Sequence, residues 1–279
     1  MPIGTDEFER RYVRTRAEKV LSSLQKHVID MLAPACAQSA YAAIFYSYQC
    51  QMEYLYQHVP PRNTAAVTMD VDEAIVQAAA AAVRAVDAPD AVDRLRMSLP
   101  ARMGGMGLRR YALIAPAAFV ATLQRSLQVM LDRVVEGGTT VPGMCPSLAT
   151  VLGAGSFDHG HAAPFAAFVA SGTPLAADFV DAWGRYQEAL GDDVAALTFG
   201  GADLGSLDLD VHLQKRLTAD LHSVAKEHLE RDLQAGGVTM EPRRHSYYRV
   251  DQFSMQWVTS FPTPQDRLSP TEYAEVVAL

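Results

Sequence analysis

Arginine and glycine between Ser98 and Leu127 offer the plainest chemistry in this chain, the binding of phosphate. The segment reads SLPARMGGMGLRRYALIAPAAFVATLQRSL. Arg94, Arg96, Arg102, Arg109, Arg110 and Arg125 fall between Asp93 and Asp132, and no Asp or Glu interrupts them. The whole chain carries a formal charge of −8, so this basic stretch over 94–131 is a local feature. A concentrated positive field attracts polyanions, nucleic-acid phosphates foremost. Gly104, Gly105 and Gly107 allow another backbone to approach closely. Arg96, Arg102, Arg109 and Arg110 beside them carry the planar fork that fits phosphate oxygens. The competing reading is that the glycines pack a corner between helices and the arginines are simply solvated.

Other residues invite a chemical reading and support it less. Arg243, Arg244, Tyr247, Tyr248 and Arg249 form a second basic and aromatic cluster. Arg10, Arg11, Arg14, Arg16 and Lys19 line one side of the N-terminal segment, as a solvated face or a stripe turned to phosphates. Gly191-Asp192-Asp193 matches a string that in some polymerases sits on a β-hairpin and holds magnesium. Here it follows an amphipathic helical pattern (Phe179, Ala182, Trp183, Tyr186, Leu190), so Gly191 reads as a helix C-cap and the aspartates as the next cap. Asp158, His159 and His161 sit in a Gly-rich stretch without the third and fourth convergent ligands that zinc requires. Ser156 lacks the strand–turn–helix setting of a nucleophile elbow. An independent enzyme built on Asp192-Asp193 or His159-His161 would bind divalent metal tightly; no catalytic residue or metal site is assigned.

The elements that must position the arginines read as helices. Thr5 can cap a helix over about 6–31, with Phe8, Tyr12, Val20, Leu21, Leu24 and Val28 at helical spacing. A second, aromatic-rich helix is expected from about Pro34 to His58, ended by Pro60-Pro61. An alanine-rich third spans 68–86. The glycine turn then leads to a helix over about 112–135, closed by Gly137-Gly138. Thr139 to Gly160 reads as a loop or boundary, followed by helices near 161–171, 174–190 and 207–235. Residues 238–262 show little helical periodicity and are expected to hold short extended pieces. Ser269-Pro270-Thr271-Glu272 is a well-formed helix start only a few residues before Leu279; the expectation is a piece of something longer.

Composition bounds the rest. Hydrophobic residues make up 49% of the 279, enough for a real core. Cys36, Cys50 and Cys145 fit neither a metal spacing nor a disulfide framework, which favours a reducing, intracellular compartment, cytoplasmic or nuclear. No uninterrupted apolar run approaches the ~18 residues of a membrane span, so no membrane partner is expected. Residues 134–212 are acidic, with Arg185 their only Lys or Arg, and would repel phosphate.

Leu-Pro-x-Arg-x-Gly-Gly-x-Gly-Leu-Arg, followed by Ala-Pro-Ala-Ala-Phe-Val-Ala-Thr-Leu, resembles the segment behind the polymerase core in retroelement reverse transcriptase-like proteins. Pro2-Ile3-Gly4-Thr5-Asp6-Glu7-Phe8 is similar to that family's exit from the palm. YLYQHVPP, Tyr54 to Pro61, resembles its Y-L-x-R-x-x-P-P helix end, with Gln57 in place of the usual Arg. Trp257, Phe261-Pro262 and the helix start at Leu268 are similar, more loosely, to a later W-L-x-x-x-P segment. The resemblance implies that residues 1–138 form a thumb-like helical domain. Beyond a 139–160 boundary, residues 161–279 would form a second helical region cut short. The family's catalytic Ala-Asp-Asp hairpin lies upstream of the Pro-Ile-Gly motif and has no counterpart here. Magnesium would belong to that missing palm, and this chain would carry no cofactor of its own.

The sequence therefore predicts a mostly all-α protein with few or no strands. Its expected role is that of a non-catalytic fragment gripping primer–template duplex, RNA–DNA or DNA, beside the missing palm. The alternative is a helical scaffold that meets a protein partner and has no nucleic-acid role.

Overall fold

A computed structural model describes residues 5–85, 87–137, 168–170, 172–191 and 212–249. They are overwhelmingly helical, and among the described residues there is no strand. Among the described residues nine helices carry the fold: α1 Asp6–Ser23, α2 Ala37–Tyr46, α3 Glu53–His58, α4 Pro61–Ala82, α5 Ala91–Ser98, α6 Tyr111–Gly137, α7 Pro174–Leu190, α8 Leu213–Ala235 and α9 Glu241–Arg249. Among the described residues no helix is long and apolar enough to cross a membrane.

Local signals explain several helix ends. Thr5 accepts a hydrogen bond from the Phe8 amide at 3.3 Å and starts α1. Asp90 and Asp93 close a reciprocal capping box on α5. Thr173 caps α7 ahead of Pro174, and Gly191, at φ +69°, ends it.

Three expectations are corrected. The run expected over 34–58 is broken at Cys36, which is extended at φ −157°, and again at Ser47, where the chain tightens into a 3₁₀ turn, Tyr48–Cys50. Tertiary partners impose the second break. The Tyr48 hydroxyl donates to the Ser23 carbonyl, and the Gln49 side chain spans from the Phe45 carbonyl to the Arg109 amide. The alanine-rich helix starts earlier than expected, at Pro61, because a proline that ends one helix is well suited to the first position of the next. It ends earlier too, and Arg84 takes a left-handed conformation at φ +52°. Finally, Glu241–Arg249 is helical rather than extended. Its weak amphipathic pattern hid it; what it buries is chiefly Tyr247.

The helix from the N-terminus also changes pitch. Over Leu24–Leu32 it widens to π-helical hydrogen bonding before one last turn, Ala33–Ala35, which contains Pro34. Proline has no N–H to continue the ladder.

The chain divides into two compact units that interleave in sequence. One takes in Leu55–Thr64 and Leu113–Leu221. There α7 buries Phe179, Ala182, Trp183, Tyr186 and Leu190, the face its periodicity predicts. Asp178, almost wholly buried, is paired with Arg62, and the Tyr186 hydroxyl donates to Asp220 at 3.2 Å. The other unit takes in Pro2–Tyr54, Ala65–Ala112 and His222–Leu279 and holds the glycine turn. Val92, Leu99, Ala225, Leu229, Leu233 and Tyr247 form a core cluster there, with Leu95, Met103 and Met240 packed on it. The boundary expected at 139–160, the helix expected over 161–171 apart from 168–170, and the segment beyond 249 lie outside the described residues.

Candidate nucleic-acid interface

Backbone hydrogen bonds shape the turn after α5. The amides of Met106, Gly107 and Leu108 donate to the carbonyls of Arg96, Leu99 and Met97 at 3.3, 2.8 and 3.0 Å, folding the chain back onto the end of the helix. Gly105 lies directly against Leu99: a Cβ there would stand 2.1 Å from the Leu99 carbonyl oxygen. Gly104 adopts φ +78° beneath the Tyr247 ring, and Gly107 adopts φ +75° beneath the Phe45 ring. Non-glycine residues rarely take that conformation. The Tyr41 hydroxyl, from α2, donates to the Met106 carbonyl at 2.6 Å and closes the turn from the far side. The three glycines therefore pack a corner, the structural half of the expectation.

The arginines meet different fates. Arg96 is only 8% exposed, and its guanidinium donates to the Ser246 hydroxyl at 3.1 Å. Its Nε has no hydrogen-bond partner among the described residues. Arg96 thus faces the interior of this unit rather than a ligand. Arg94 grips Glu73 with both terminal nitrogens and donates from Nε to the Pro89 carbonyl. Hydrogen bonding to Arg94 holds the Glu73 carboxyl down at about 2, well below its ordinary range. Arg243 reaches Asp90 at 2.6 Å and Asp93 at 3.5 Å, so the second basic cluster is partly neutralised too. Arg244 donates to the Gly237 carbonyl, Tyr247 is buried and Tyr248 is exposed.

Arg109 and Arg110 stand at the mouth of α6. Arg109 is anchored at both ends. Its amide donates to Gln49, and its Nη1 donates to Glu53 at 2.7 Å and to the Tyr111 hydroxyl at 3.2 Å. Its side chain nonetheless remains substantially exposed. Arg102 is exposed, Arg110 is half-buried, and neither is in an ion pair with a described residue. Burial lowers the pKa of His222, and the positive charges of Arg102 and Arg109 lower it further. Those two guanidiniums and the imidazole therefore share one neighbourhood.

Asp72 of α4 locks this segment in place. Its two carboxylate oxygens accept from the amides of Tyr111 and Ala112 at 2.9 and 2.8 Å, capping α6 from a different helix. Only 8% of Asp72 is exposed. Burial pushes its carboxyl up to about 7 against the downward pull of the two amides and of Arg110. Asp72 was not singled out from the sequence. The available signal was an acid adjoining the apolar row Val71, Ile75, Ala78 and Ala79, where a solvated carboxylate has no place.

Among the described residues no cluster of His, Cys, Asp or Glu is arranged to hold a metal ion. Asp192-Asp193 and the His159-His161 pair lie outside them. No family model matches the chain, and neither curated proteins nor solved structures provide a match.

Proposed function

We propose that this chain is a non-catalytic helical piece of a retroelement reverse transcriptase-like protein, and that it grips primer–template duplex through backbone phosphates. The observation that carries this reading is the exposed Arg102 and Arg109 and the half-buried Arg110 held on a turn of fixed geometry. The glycine corner, the Asp72 cap and the Gln49 and Glu53 contacts order the backbone before any ligand arrives, so less entropy is lost on binding. Phosphate contacts of this kind position a duplex without reading its sequence. The missing palm that the resemblance implies would supply the chemistry, including any magnesium, from outside this chain.

The test is anisotropy of a labelled RNA–DNA duplex titrated at several salt concentrations. Arg109 also holds Glu53 and Tyr111, so the informative variant is Arg102→Ala with Arg110→Ala. Losing two phosphate contacts should weaken affinity severalfold and flatten the log K against log salt slope by about 2. Unchanged affinity in that double variant would end the proposal.

The scaffold reading draws on a specific observation as well. Arg94, Arg109 and Arg243 each face a carboxylate, and Arg96 is buried. Passage through heparin resin without retention at low salt favours that reading; retention favours the phosphate grip.

A further inference from the structure

Helix α1 presents two different outer flanks. Val13, Ala17 and Val20 face the interior, continued by Leu24 and Val28. On one outer flank Glu7, Arg14 and Glu18 follow one another at helical spacing, so their charges offset. On the other lie Phe8, Arg11, Tyr12, Thr15, Arg16 and Lys19, every neighbouring pair related by i,i+3 or i,i+4. Acids border it: Glu7 stands i,i+4 from Arg11, Glu9 i,i+3 from Tyr12 and Glu18 i,i+3 from Thr15. Asp6 and Glu9 sit toward the interior side, where Asp6 pairs with Arg10.

This flank combines cations with open aromatic rings. Phe8 is 39% and Tyr12 46% exposed, which is unusual for rings with a core available to them. Their centroids are 6.4 Å apart and their planes differ by 30°, so they form one tilted platform. The Arg11 guanidinium lies over the Phe8 ring at 5.9 Å from the centroid, which steadies both groups. None of the ion pairs among the described residues involves Arg11, Arg16 or Lys19.

We infer that this flank of α1 binds single-stranded nucleic acid, bases stacking on Phe8 and Tyr12 while Arg11, Arg16 and Lys19 follow the phosphates. Ring faces are useful to a partner whose bases are unpaired, since in a duplex the base faces are already stacked. The stripe runs about 16 Å along the helix axis, room for a few nucleotides. An anionic membrane would also meet the charge, but the outward apolar surface is two rings, far less than an interfacial helix buries. The site is separate from the glycine turn and stands whether or not the turn grips duplex.

The experiment is anisotropy of a fluorescein-labelled 15-nucleotide oligo(dT) with the full chain at low salt. Phe8→Ala with Tyr12→Ala should raise Kd at least tenfold, given the usual value of a base–aromatic stack. Phe8→Tyr with Tyr12→Phe should restore binding, because the ring faces remain. Arg16→Ala with Lys19→Ala should reduce the salt dependence. The proposal is overturned if the wild type does not bind the oligonucleotide or if the double alanine variant binds it equally well. It is also overturned if Arg102→Ala with Arg110→Ala causes the same loss, which would assign the strand to the turn. Equal dependence on Phe8 and Tyr12 for binding phosphatidylserine vesicles would overturn it in favour of a membrane surface.

Discussion

The glycine turn and helix α1 are both rich in arginine, yet they spend it in opposite ways. Around the turn, Arg96 is buried, Arg94 and Arg109 are tied to Glu73 and Glu53, and Arg243 from α9 bridges Asp90 and Asp93. On α1, Arg11, Arg16 and Lys19 point outward beside exposed rings. The turn has the stronger signal in the sequence, a window free of acids. Its acids come instead from other segments: Glu53, Glu73, and Asp90 just before the window. A run without carboxylates in sequence is therefore not a run without carboxylates in space. Helix α1 contains four acids of its own, but the helical period sorts most of them away from the aromatic flank. Availability of charge is a property of a surface rather than of a segment.

The contrast can be broken at the turn. Gly105→Ala should have the largest effect, a loss on the order of 3–5 kcal/mol, because its Cβ would meet the Leu99 carbonyl oxygen and Cβ at 2.1 and 2.4 Å. Urea unfolding measures it; a loss below about 1 kcal/mol would mean that the corner is not as tight as described.

Arg96 offers a finer test of whether a turn arginine is structural. Arg96→Ala should cost about 2–4 kcal/mol through the space it leaves. Arg96→Met, which keeps most of the volume and removes a buried cation with an unsatisfied Nε, should stay within about 1 kcal/mol of wild type. Equal losses in the same denaturation assay would show that the Ser246 hydrogen bond and the charge matter more than packing.

Asp72 predicts a smaller, pH-dependent effect. Its folded pKa is raised to about 7, above the ordinary value, so the folded state holds a proton that the unfolded chain releases. The stability it contributes is complete below the unfolded pKa and is lost as pH rises through about 7, by on the order of 1 kcal/mol from pH 6 to pH 7. Asp72→Asn cannot titrate, so its melting profile should be flatter than that of wild type across this range. Parallel profiles would remove Asp72 as the cause.

Much of the helical framework was legible because it is written locally. Thr5, Thr173-Pro174 and Gly191 act within a turn of themselves, so their effect does not wait for the rest of the chain. The apolar face of α7 follows from its period alone. The break at Ser47 was not legible, since Tyr48 and Gln49 leave the helix for partners more than twenty residues away, Ser23 and Arg109. Helix α9 was missed for a related reason: it has no strong amphipathic stripe, and Tyr247 is buried in a cluster with residues from α5 and α8. Of the candidate site, the glycine corner could be anticipated, but the burial of Arg96 could not.

By itself, then, the sequence determined that this protein is built of helices, where several of them start and stop, and that positive charge gathers around a glycine turn. These depend on backbone preference, capping and periodicity, which act over a few residues. Tertiary structure alone decided which arginines face outward, which carboxylates meet them and that Asp72 caps a helix it does not belong to. Desolvation and ion pairing depend on what arrives from distant parts of the chain, and nothing in the local run of residues records that distance.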